Sequence, residues 1–221
     1  MVRSLILFLL LSGCAPPKTI LIISKTVGFR HDSIETGVKA ISDIATDLEF
    51  EVIATEDSSG LCNNNYDVVV FLNTTGNILN EQEQQCLREF VESGGGFLGI
   101  HAAADTEYDW PWYGETLLGA WFVSHPPISE EAIEVVNSQH LSTKHLPQHW
   151  LCTDEWYVYD RTPSDATILM EVHGHPIAWC SDIGNGRSFY TGRGHTIESY
   201  SDQLFRQHLR GGIEWVSERE F

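Results

Sequence analysis

The run Gly94-Gly95-Gly96-Phe97-Leu98-Gly99-Ile100-His101 decides the fold. A glycine stop is followed by a short apolar stretch that ends on a histidine. This is the pattern of a strand buried on both faces that delivers a polar group at its carboxyl end. Just upstream, Asn80 with Glu83 predicts the capped start of a helix whose Leu87, Phe90 and Val91 face inward before it stops at Gly94. Residues 19–24, 50–55 and 66–72 read as further strands. Between the first two, Ile34, Val38, Ile41, Ala45 and Leu48 recur at helical spacing behind a capping box of Asp32 and Glu35. The order β-α-β, β, α-β predicts an α/β fold with a parallel sheet and helices on both faces, because right-handed crossovers permit little else.

Beyond His101 the pattern predicts a helix over 113–122 and strands at 133–136, 156–159 and 167–171. A C-terminal hairpin pairs 177–180 with 187–190 around a turn at 182–186, and a closing helix over 203–216 carries Leu204, Leu209, Ile213 and Val216. No repeat or Pro/Ser-rich linker divides residues 19–221, which read as one domain.

The 13 Lys and Arg against 31 Asp and Glu give a formal net charge of −18. Such an excess repels phosphate backbones and anionic headgroups, so nucleic acid is excluded as a partner. Seven Trp and seven Tyr fit a sugar-facing surface, where ring faces stack on C–H patches.

Residues 1–13 have the basic start and short apolar run of a secretory signal. Leu11-Ser12-Gly13-Cys14 resembles the bacterial lipobox, which makes Cys14 the acylated first residue and 14–18 a short tether. The expected location is the cell envelope, lipid-anchored on the periplasmic side of the outer membrane, with the anchor as the sole membrane contact. Cys62, Cys86, Cys152 and Cys180 permit three pairings. Buried free thiols are the simpler expectation, since Cys86 and Cys180 sit in apolar periodic segments.

In open parallel sheets ligands bind beyond the carboxyl ends of the strands. Those ends are polar here: residues 24–31 end on His31, Asn73 and Thr74 follow the third strand, and His101 follows the fourth. The segments Phe29-Arg30-His31-Asp32-Ser33-Ile34, Val70-Phe71-Leu72-Asn73-Thr74-Thr75-Gly76, Gly99-Ile100-His101-Ala102-Ala103-Ala104-Asp105-Thr106-Glu107-Tyr108 and Asp109-Trp110-Pro111-Trp112-Tyr113 closely resemble the ThuA-like (trehalose utilization) family. So do Ser124-His125-Pro126, Asp154-Glu155-Trp156-Tyr157, His175-Pro176-Ile177-Ala178-Trp179 and Gly192-Arg193-Gly194-His195-Thr196-Ile197-Glu198-Ser199-Tyr200. The resemblance implies a flavodoxin-like, doubly wound, mostly parallel sheet similar to class I glutamine amidotransferases, and a link to disaccharide catabolism. Those amidotransferases place a nucleophilic cysteine at the strand-four exit. Here His101 stands there, so glutaminase chemistry has no nucleophile.

The candidate catalytic groups are therefore His101, Asp105, His195 and Glu198, with Glu198 as the carboxylate that orients His195. Candidate substrate-binding residues are His31, Asn73, Thr74, Glu107, His125, Asp154 and Glu155, with Trp110, Trp112 and Tyr113 as a stacking wall. His101, His125 and His195 are candidate ligands for a divalent metal such as zinc, although their spacing is not diagnostic. No cofactor follows from the sequence. The expected partner is a carbohydrate or keto-sugar small molecule, acted on by acid–base chemistry. A non-catalytic sugar-binding lipoprotein and a metal-dependent hydrolase are the alternatives, and oligomeric state is not legible. His145 and His149 have zinc-helix spacing, but Pro147 breaks the helix that spacing needs.

Overall fold

The computed structural model describes residues 17–63 and 65–218. In chain order the elements are β1 (Thr19–Ile23), α1 (Ile34–Asp47), β2 (Glu51–Thr55), β3 (Val68–Leu72), α2 (Glu81–Glu92) and β4 (Gly96–Ile100). After a single turn at His101–Asp105 and a short π-helical turn at Trp112–Leu117 come β5 (Phe122–Ser124), β6 (Ser129–Val135), β7 (His149–Asp154), β8 (Val158–Tyr159), β9 (Thr167–Val172), β10 (His175–Ile183), β11 (Gly186–Thr191) and α3 (Gln203–Ser217). Nine strands form one sheet in the order β2-β1-β3-β4-β11-β10-β9-β6-β7. The first five pair in parallel, in the flavodoxin-like order 2-1-3-4-5. The remaining four add on antiparallel, and β5 and β8 form a separate ribbon.

The unbroken apolar runs of β1 and β3 follow from a sheet covered on both sides. Ile20, Ile22, Val68 and Val70 pack with Ile41 and Ile44 of α1 and Leu209 and Ile213 of α3. Their neighbours Leu21, Ile23, Val69 and Phe71 point the other way, onto Leu87 and Phe90 of α2. Each such side chain contributes roughly 1.5–3 kcal/mol on burial, and the two cores fix the register of the strands that carry the site.

Several local expectations are corrected. At α2 the Asn80–Glu83 capping box forms as predicted. At α1 no box forms: the helix begins after Ser33, whose hydroxyl donates to Gly194 O at 3.1 Å, while Glu35 pairs with Arg30. The start of α1 is thus tied to a loop 161 residues away. The helix expected over 113–122 shrinks to the Trp112–Leu117 turn, because Gly119 takes a left-handed φ of 98° and the chain turns into β5. The strand expected at 156–159 is only β8. Strand β7 was missed, since its exposed Leu151 and buried Asp154 invert the usual alternation. Cys62 and Cys86 form a disulfide, contrary to the free-thiol expectation, because the turn at Ser58–Asn63 packs on α2. Cys152 and Cys180 are free and buried. The signal and Cys14 lie outside the described residues, among which no helix is long and apolar enough to cross a membrane.

His208 of α3 is fully buried against the rings of Phe189 and Phe205, with Nδ1 3.1 Å from Ser142 O. Burial pushes its pKa down from the ordinary 6.5 to about 3, against the opposing hydrogen bond to Ser142. Between those values the unfolded chain holds a proton that the folded chain does not. Acidification below pH 6.5 therefore costs stability, by up to about 1.4 kcal/mol per pH unit from this residue. Urea unfolding across that range should show a shallower acid limb for His208→Phe than for the native chain, and parallel limbs would contradict the assignment.

Candidate functional site

The carboxyl ends of β1, β3, β4 and β11 open onto one edge, and the residues after β7 reach the same place. His101 leaves β4 with a left-handed φ of 49°, and Asn73 leaves β3 at 50°. Non-glycine residues hold this conformation only where surrounding contacts over-determine it, and such strain concentrates at functional sites. The contacts here are specific: Tyr190 Oη donates to His101 O at 2.9 Å, and Asn73 N donates to Ile100 O at 3.2 Å.

His101 is wholly buried, and its Nδ1 lies 2.8 Å from Gly192 O. A carbonyl only accepts, so Nδ1 carries the proton and Nε2 presents a lone pair. That lone pair faces His195 Nδ1 at 3.2 Å and Glu155 Oε2 at 3.4 Å, and His195 Nδ1 is itself 3.2 Å from Glu155 Oε2. The buried ring of His31 stands edge-on to both other imidazoles, with centroids 5.0 Å from each. Three imidazoles and one carboxylate therefore place a donor atom each within 4.8 Å of one another. Tyr157 closes one wall, its ring centroid 4.2 Å from that of His101.

Electrostatics separates the roles of these rings. The hydrogen bond to Glu155 raises the pKa of His195 despite partial burial. Burial pushes the pKa of His31 down to about 3, assisted by the positive charge that His101 and His195 carry when protonated. For Glu155 burial favours the neutral acid, but the hydrogen bonds and positive charge that the adjoining imidazoles of His101 and His195 supply when protonated outweigh it and hold the carboxyl well below its ordinary range. The second oxygen of Glu155 meets His125 Nδ1 at 3.0 Å. His125 Nδ1 also lies 2.9 Å from Pro126 O, so it is the proton-bearing nitrogen and Nε2 is left basic. The side chains of His195 and His125 are 21% and 41% exposed, which makes this the solvent-facing side of the cluster.

The loop that carries His195 is held by Asp154. Its buried carboxylate accepts from Gly194 N at 3.0 Å, His195 N at 3.1 Å and Ser199 Oγ at 2.7 Å, and it lies 3.3 Å from the buried Arg193 guanidinium. Gly194 is required there: its φ is 125°, and a Cβ would sit 2.8 Å from Tyr200 Oη. Asn73 completes the knot, its Nδ2 donating to Ser33 Oγ and Gly194 O.

Of the residues singled out in the sequence, His31, His101, His195 and Glu155 come together, with His125 at their rim and outside the quartet. Glu198 is exposed, and the carboxylate on His195 is Glu155 instead. Asp105 is hydrogen-bonded to Tyr108 Oη at 2.6 Å, not to a histidine, and burial raises its pKa. Glu107 is spent on the backbone, accepting from Ile78 N, Leu79 N and Gln84. Thr74 pairs with Thr106 in the interior. The expected stacking wall is a hydrophobic plug: Trp110 stacks on Tyr113, Tyr113 is fully buried beside Phe71 and Phe97, and Trp112 lies under Arg88. Tyr157 was missed, as was Phe29, an exposed ring edge-on to His31 at 4.9 Å. Both stand inside quoted motifs beside a site residue, the one signal that pointed to them.

The ThuA family profile, described as trehalose utilisation, matches residues 19–216. Among solved structures, a ThuA-like protein from Bacteroides uniformis ATCC 8492 is 25% identical with a TM-score of 0.76, covering 93% of this chain and 94% of that one. A second ThuA-like protein, from Parabacteroides merdae ATCC 43184, is 22% identical with a TM-score of 0.77, covering 92% and 90%. A β-galactosidase from Bacillus circulans sp. alkalophilus shares the fold at 15% identity and a TM-score of 0.61, over 90% of this chain and 30% of its own. No curated protein matches the chain.

Removing the Asp154 carboxylate leaves three buried backbone N–H groups and the Ser199 hydroxyl without their acceptor, and takes one of two carboxylates from the buried Arg193, which keeps Asp202 at 2.9 Å. Asp154→Ala should cost about 3 kcal/mol or more in denaturant unfolding, since each buried donor left without an acceptor costs about 1–3 kcal/mol. A loss below about 1 kcal/mol, the range of an exposed pair, would contradict this role.

Proposed function

The chain belongs to the ThuA family, whose role lies in carbohydrate metabolism, and from that premise we propose that it acts on a carbohydrate or keto-sugar by acid–base chemistry at the edge described above. One observation carries the reading: a single carboxylate, Glu155, holds two solvent-reachable imidazoles, one on each oxygen. His195, whose pKa the bond to Oε2 raises, is the proton donor, while His125, bonded through Nδ1 to Oε1 and Pro126 O, offers Nε2 as the proton acceptor. Hydrolysis, elimination and isomerisation of a sugar each need this pair. His101 is a positioning residue in this scheme, fixing His195 through Nε2 and itself fixed by Gly192 O. The burial of Tyr113 leaves only the half-buried Trp110 and Trp112 of the aromatic segment to face a sugar, which favours the catalytic reading over a purely sugar-binding one.

The test is a panel of disaccharides and their keto derivatives with mass-spectrometric detection of products. On any substrate found, His125→Ala should lower turnover by about 10²–10⁴-fold with an unchanged melting temperature, since the ring is exposed. Undiminished turnover removes His125 from the chemistry, and saturable sugar binding with no product favours a binding module over an enzyme.

We further propose that the chain is anchored through Cys14 in the cell envelope. The lipobox-like tetrapeptide supports this, and so does the Cys62–Cys86 disulfide, since such bonds persist in oxidising compartments. Metabolic labelling with palmitate should mark the native chain and leave Cys14→Ser unlabelled; equal labelling of both refutes the anchor.

A further inference from the structure

We propose that His101, His195, Glu155 and His31 bind one divalent transition metal ion of the zinc class. The inference deepens the reading above by naming the electrophile: an ion at this point, in place of the His195 proton, stabilises negative charge on a substrate oxygen, and His125 keeps its task as base.

The geometry is the first support. A tetrahedral site with bonds of about 2.1 Å has donor-to-donor edges of about 3.4 Å. The triangle His101 Nε2, His195 Nδ1 and Glu155 Oε2 has edges of 3.2, 3.2 and 3.4 Å. Protonation logic is the second. His101 Nε2 and Glu155 Oε2 are both lone-pair acceptors facing each other, and the single proton on His195 Nδ1 is shared between them. A cation satisfies all three at once. The third is the outer contact: Nδ1–H of His101 donates to Gly192 O, the arrangement that fixes the tautomer and direction of a metal-binding imidazole. His31 supplies the fourth nitrogen within 4.8 Å of the other donors, and its Nδ1 is buried without a hydrogen-bond partner. Two or three imidazoles with one carboxylate suit zinc and its neighbours rather than magnesium or calcium, which prefer all-oxygen sites. His125 is outside the quartet, and the paired His173 and Glu131 on the surface lack a third donor among the described residues.

The full chain is stripped with chelator, dialysed, and titrated with zinc chloride and with cobalt(II) chloride, with metal content and the visible cobalt spectrum as readouts. The account expects one equivalent of zinc and the intense visible bands of tetrahedral cobalt. Glu155→Gln, His101→Asn and His195→Asn should each weaken binding by at least 100-fold, whereas His173→Ala binds as the native chain does. Circular dichroism identifies any variant that has lost its fold, and Glu155→Gln, the most conservative, is decisive. Less than a tenth of an equivalent on the native chain, or native-like binding by the folded Glu155→Gln variant, overturns the proposal. Sugar turnover by metal-free protein would sink the metal and leave the acid–base reading standing. Stoichiometric metal on a protein that transforms no sugar would do the reverse.

Discussion

A buried carboxylate at the end of β7 is the constraint on which the rest of this edge depends. Asp154 gathers three backbone N–H groups, a serine hydroxyl and a guanidinium onto one side chain. That arrangement sets the loop after β11 against β4, and it puts Glu155, one residue further on, in contact with three imidazoles carried by distant parts of the chain. A charge so placed is tolerated only because it is paired and hydrogen-bonded. The same bonds that make its burial affordable position His195.

The neighbouring carboxylates Asp154 and Glu155 thus divide the work. One is internal and holds backbone, the other faces the hollow and sets protonation. The difference comes from surroundings, since adjacent residues of like chemistry leave the strand in different directions. Left-handed backbone at His101 and Asn73 serves the same end, turning polar side chains inward across the strand ends where extended geometry would send them past the edge.

Much of this was legible in the sequence for physical reasons. The strands of the parallel half are continuous apolar runs because both faces are covered, and that signature survives without any knowledge of partners. The Asn80–Glu83 box was readable because capping is local. What failed was non-local. Ser33 is drawn to Gly194 rather than capping its own helix, and β7 hides behind an exposed Leu151. Glu198 follows His195 closely in sequence, yet the carboxylate on that ring comes from 40 residues earlier. His31, His101 and His195 were identifiable as histidines after strands, but nothing in their spacing revealed that they meet, or that His101, His125 and His195 share one carboxylate. The Trp110–Tyr113 segment was misassigned because aromatic residues in a proline-stiffened loop suit a plug as well as a sugar platform.

The account rests finally on which nitrogen of His101 bears hydrogen, because that choice aims a lone pair at His195 and Glu155. Long-range proton–nitrogen NMR of histidine-labelled, metal-free protein at alkaline pH reads this directly. The structure predicts the Nδ1–H tautomer for His101, with Nε2 showing the shift of an unprotonated acceptor. An Nε2–H tautomer would mean that Gly192 O does not hold the ring, and the convergent site would lose its foundation.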